Sequence, residues 1–216
     1  ENEAIKEELT DDFENYCKLR DGEYHYYVYK NCKRKWMNIN GDNRGSSGIN
    51  FLWPITSNES YIDALDKAKR GESYNNLSPI FTYSLNGGIT AMWMGDIENN
   101  FMEKVKDDID WVEVDVLFAP HHGRESGKVP SDVLEKINPK IIIIGEAPSE
   151  HLNYYNGYNT LTQNSTGNIA FKNEQSKTEI YVEKGDYPYD KSFLKNEGIC
   201  DCKLGAYIGT LMLEDK

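Results

Sequence analysis

A chain of 216 residues, 38% hydrophobic and 12% aromatic, has the length and apolar content of one globular domain and is too rich in both to be disordered. Its formal net charge of -12 excludes a protein whose whole surface binds nucleic acid, because such surfaces neutralise phosphates with Lys and Arg. A small basic groove, or a metal site that attracts phosphate, remains compatible with that balance.

No stretch approaches the roughly 20 apolar residues of a membrane span, and no signal-peptide pattern opens the chain. The four cysteines, Cys17, Cys32, Cys200 and Cys202, lack the spacing of a zinc ribbon. They read as reduced thiols, which points to a cytoplasmic protein.

In chain order, Ile5, Leu9, Phe13 and Cys17 recur every four residues, which predicts a helix over residues 1–20. "EYHYYVYK" follows, rich in Tyr and Val, and predicts a strand in which His25 is an ordinary member. "NINGDNRGSSG" is a loop by composition and "INFLWP" a short strand ended by Pro54. "SYIDALDKAKRG" predicts a helix with Ile62, Leu65 and Ala68 on one face, stopped by Gly71.

"SPIFTYSLNGGITAMWMGD" predicts a hairpin that turns at Asn86-Gly87-Gly88. "NNFMEKVKDDI" reads as a helix, "VDVLFAP" as a strand, and "SDVLEKIN" as a helix capped by Ser131. The unbroken apolar run of "KIIIIGEA" predicts a strand covered on both faces. A Tyr- and Asn-rich loop, "HLNYYNGYNTLTQNSTG", then leads to strands in "NIAF", "TEIYVEK" and "AYIGTLML". Alternation of strands and helices means an α/β fold, and the absence of repeats and linkers means a single domain over 1–216.

Three predicted strands end in groups able to bind a metal. Asp96 follows Gly95 in "MWMGDIEN", His121 and His122 stand together in "VLFAPHHG", and Glu146 and His151 follow "IIIIG". Asp96 and His121 are 25 residues apart (121 minus 96), the length of one strand–helix–strand step. If the strands are neighbours, their ends share an edge and the groups converge, and a carboxylate with imidazoles suits zinc or manganese. Taken singly, a Gly-Asp pair is also a common turn, and a His pair can simply close a loop.

From "NNLSPIF" through "MWMGDIEN" and "VLFAPHHG" to "NPKIIIIGEA", residues 49–150 resemble the second half of the metallo-β-lactamase fold, in the variety of the ComEC competence proteins and their soluble relatives. The resemblance implies an αββα sandwich with one or two divalent metals at one edge. It implies that Asp96 is the bridging carboxylate, and that His121 or His122 is a ligand while the other serves substrate or catalysis. Asn75, Asn76 and Ser78 match an Asn-Ser element expected chiefly to bond the loop beside the site, and Asn76 is also a candidate for substrate contact. His151 is a candidate general acid and Arg124 a candidate phosphate contact.

The family's His-x-His-x-Asp-His cluster has no counterpart here. The chain is therefore expected to form the C-terminal part of such a fold, with the remaining ligands supplied upstream of Glu1 or by another chain. The function expected is that of a metal-dependent phosphodiesterase or nuclease acting on DNA or RNA through a metal-activated water. "NYYNGYN" offers rings on which bases could stack. The alternative is a catalytically degenerate fold that serves as a binding or assembly module in a larger complex.

Overall fold

The computed structural model describes residues 10–39, 46–187, 192–199 and 203–213. Ile5, Leu9, Cys200 and Cys202 lie outside them. Helix α1, Thr10–Asp21, carries Asp11 and Asp12 in its first turn and Lys18 and Arg20 in its last, matching its dipole. It packs little: Phe13, a described member of the stripe read from the sequence, is 40% exposed, and Leu19, off that stripe, is 77% exposed.

The segment after α1 corrects a second expectation. Residues 25–29 form no strand, and Tyr24 and Tyr27 are 87% and 78% exposed. Tyr and Val favour strands only where a partner strand and a surface to pack on exist. Here the chain meets β1, Ile49–Trp53, only locally, where Lys30 N–H donates to the Pro54 carbonyl and Asn31 N–H to that of Phe51.

Six strands form the main sheet in chain order: β1, then β2 Ile80–Ser84, β3 Thr90–Trp93, β4 Val116–Phe118, β5 Ile141–Ile144 and β6 Thr160–Thr162. The pairs β1–β2 and β2–β3 are antiparallel; β3–β4, β4–β5 and β5–β6 are parallel. The hairpin turn lies where expected, with the Gly88 N–H donating to the Leu85 carbonyl. Strand β6 sits inside the stretch expected to be loop; three residues, Thr-Leu-Thr, are too few to show a period. A second sheet holds β7 Ile169–Glu174, β8 Lys177–Val182 and β9 Ala206–Met212, all antiparallel.

Side-chain alternation divides the core in two. Met92, Leu117, Ile142 and Ile144 face helices α2 (Glu59–Lys69), α3 (Asn99–Val105) and α4 (Ser131–Ile137) through Ala64, Phe101, Met102, Val133 and Ile137. Ala91, Val116, Ile141, Ile143 and Leu161 face the other way, onto Ile180, Val182, Ile208 and Leu211 of the second sheet. All four Ile of β5 are thus buried, two on each side, as their unbroken run implied.

The layers run helix, sheet, sheet. In α2 the buried residues are Ala64 and Ala68 while Ile62 is exposed, a small shift of the expected face. Ser131 is the first residue of α4 rather than its cap, a place taken by Pro130 with no side-chain bond. Among the described residues no helix is long and apolar enough to cross a membrane.

Candidate functional site

The parallel register of β3, β4 and β5 sets Trp93 beside Phe118 and Phe118 beside Ile143, so the three strands end level with one another. The chain leaving β3 turns at Gly95, whose φ of +56 brings it against Ser78; a Cβ there would lie 2.6 Å from the Ser78 Cβ and Oγ. Ser78 Oγ accepts the Asp96 N–H at 2.9 Å. Asn76 Oδ1 accepts the Glu98 N–H at 3.1 Å, and its Nδ2 donates to Glu98 Oε2 at 2.9 Å. Asn75 Nδ2 donates to Glu98 Oε1 at 3.3 Å. The "NNLS" element therefore holds the loop that presents Asp96, and both ends of the Asn76 amide are engaged in doing so.

Beyond β4, His121, His122 and Gly123 all adopt positive φ, at 50°, 58° and 80°. Such a conformation costs a non-glycine residue roughly 1–2 kcal/mol, and strain of this kind gathers at functional sites. Four contacts hold the turn. His121 N–H donates to the Gly95 carbonyl at 2.9 Å, joining the β3 and β4 loops. Ser126 Oγ lies 3.0 Å from His121 Nδ1. Gly127 passes so close beneath that a Cβ would lie 2.6 Å from that of His121. Gly145, just after β5, abuts His122, and a Cβ there would be 3.1 Å from the His122 Nδ1.

A cavity of about 190 Å³ opens at this edge. Trp93, Phe118 and Ile143 form its apolar wall, and Asp96, His122 and Gln163 supply its polar side chains. Of the residues singled out by sequence, Asp96 and His122 meet here. His121 is directed to Ser126 instead. Arg124 and Glu146 are exposed and do not line the cavity. His151 is half-buried outside the lining, with Nε2 3.5 Å from Glu150 Oε1 and its ring 5.8 Å from that of Tyr154. Its Nδ1 is buried without a hydrogen-bond partner among the described residues.

Gln163 is the residue that sequence reasoning missed. It begins the short helix α5, Gln163–Thr166, at the end of β6, so it occupies the same strand-end position as Asp96 and His122. The only signal was that position, and it was hidden with β6 inside an apparent loop.

Asp96 and His122 are a carboxylate and an imidazole, the donor types that zinc and manganese accept. Two donors are fewer than the three protein ligands that catalytic zinc takes. Among the described residues no three His, Cys, Asp or Glu side chains gather into a metal-holding group. Asp96 and His122 are the two metal-donor side chains that the cavity lining brings together. In comparisons with known proteins, no family model matches the chain and no curated protein is significantly similar to it.

Proposed function

We propose that the protein is the C-terminal part of a metal-dependent hydrolase of the metallo-β-lactamase type, acting on phosphodiesters such as DNA or RNA. Asp96 and His122 form one side of its zinc or manganese site, and the remaining donors come from beyond the described residues. The observation that carries this reading is the level ending of three parallel strands, which brings Asp96 and His122 to one cavity. The strained, braced turn at His121–His122 supports it, as does the helix–sheet–sheet order, which is compatible with three layers of an αββα sandwich. Arg124 and His151 lie outside the cavity lining and take no assigned role in this reading.

Equilibrium dialysis against Zn²⁺ or Mn²⁺ with metal analysis tests the assignment. The chain should retain an ion weakly, and Asp96→Ala and His122→Ala should each weaken retention at least about tenfold, the scale seen even when supporting groups are lost. His121→Ala should matter much less. Metal-dependent cleavage of bis(p-nitrophenyl) phosphate, however slow, should disappear with Asp96→Ala. Retention that is nil, or equal in wild type and both variants, would overturn the proposal. The two-donor count then favours the second reading, a binding or assembly module without catalysis.

A further inference from the structure

Outside the cavity, the largest departure from the bulk character of the chain lies between Tyr24 and Trp36. The protein carries a net charge of -12, yet "KNCKRKW", residues 30–36, holds Lys30, Lys33, Arg34 and Lys35 and no acidic residue. Lys30 is committed to Asp110 at 2.8 Å. Lys33 and Lys35 are exposed, and neither they nor Arg34 form an ion pair among the described residues. Arg34 lies over the Tyr26 ring, 5.1 Å from its centroid, and its Nε is buried without an acceptor among the described residues. The flanking sequence carries exposed rings: Tyr24 at 87%, Tyr27 at 78%, Tyr26 at 61% and Trp36 at 55%.

The patch is built on the fold rather than trailing from it. Cys32 and Met37 are each 2% exposed and pack with Phe51 of β1. Asn38 Nδ2 donates to the Cys32 carbonyl and its Oδ1 accepts the Arg34 N–H, closing the turn that carries the cations. From Phe51 a row of rings crosses the strands through Phe81 and Trp93 to Phe118, with centroids 5.4, 5.3 and 4.4 Å apart. Trp93 and Phe118 line the cavity that holds Asp96 and His122.

We propose that Lys33, Arg34, Lys35, Trp36 and the tyrosines at 24, 26 and 27 form a binding surface for single-stranded nucleic acid. The cations meet phosphates, and the rings offer faces on which unpaired bases stack without regard to sequence. A duplex hides those faces; an anionic membrane could also use charges and rings, and the vesicle competition below distinguishes it. The acidity of the remaining surface does not prevent contact, because charges beyond about 8 Å are screened at physiological salt. The surface narrows the substrate class of the hydrolase reading and rests on that reading only for its link to the cavity. Binding itself depends on residues of its own.

Fluorescence anisotropy of a labelled 20-nucleotide oligothymidine, with the full chain in EDTA and over a series of salt concentrations, tests the proposal. Trp36→Ala should weaken binding roughly 5- to 150-fold, the range for losing one stacked base, and Trp36→Phe should restore much of it. The double variant Lys33→Ala/Lys35→Ala should lower the salt slope by about 1.4, from two lost phosphate contacts, while the Lys→Arg pair keeps it. Asp96→Ala should bind like wild type, which separates this surface from the metal reading. Equal affinity for the matching duplex would overturn the proposal. So would indifference to Trp36→Ala, or binding to vesicles of phosphatidylserine that the oligonucleotide does not displace.

Discussion

Gly95 shows how a single position sets the site. It needs a positive φ, and it also leaves the space that Ser78 fills. Gly95→Ala therefore carries two penalties, about 1–2 kcal/mol for the left-handed backbone and about 1–3 kcal/mol for overpacking against Ser78. The expected loss is on the order of 2–5 kcal/mol, read as a lower urea midpoint with an unchanged m-value. A loss below about 1 kcal/mol would mean that the loop relaxes freely and that Asp96 is not rigidly held. At this scale the sequence was informative where chemistry is punctuated by turn residues: Gly95-Asp96 and His121-His122-Gly123 each announce a strand end. It could not decide between the two histidines, because that depends on the paired positive φ values and on Ser126, which meets only His121. Nor could it connect Asn76 with Glu98, a contact formed by the fold across 22 residues.

Among the elements, the stretch from Pro148 to Tyr158 is fixed by Tyr155, which is 2% exposed and whose hydroxyl accepts the Val129 N–H at 3.4 Å. Burial pushes its phenol up from an ordinary 10 to about 12. A phenol whose folded value exceeds its unfolded one contributes stability in full below pH 10, and that contribution is lost as pH rises through the folded value. Two pH units correspond to a loss on the order of 3 kcal/mol. Denaturation at pH 9 and at pH 12 should show wild type losing about that much more than Tyr155→Phe, since the other tyrosines titrate in both proteins. Equal losses would place Tyr155 in water rather than in the core. Elements with a strong period or an unbroken apolar run, such as β5 and the β2–β3 hairpin, were legible from sequence. Those that depend on a neighbour were not: β6 is a strand only because β5 lies beside it, and residues 25–29 are not one because no strand among the described residues pairs with them.

For the whole molecule, the strand–helix alternation announced an α/β class, whereas the layering of the main sheet over β7–β9 emerges from contacts far apart in the chain. Net charge acts at this scale too. An excess of -12 repels itself most in the compact state, while ion pairs such as Lys67–Asp63 and Lys177–Glu197 pull the other way. Exposed pairs are worth about 0–1 kcal/mol each, so repulsion should dominate. Raising monovalent salt from about 20 to about 300 mM shortens the screening length from about 20 to about 6 Å. The melting temperature should therefore rise, by about 2–4 °C for each kcal/mol of repulsion relieved. Over the same range, affinity for oligothymidine should fall, because the patch at residues 33–36 gains its attraction from the charge that salt screens. The two responses have opposite signs because one reports the surplus of acid and the other a local surplus of base. A melting temperature that falls with salt would show that the ion pairs outweigh the repulsion, and an affinity that does not fall would remove the phosphate contacts from the patch.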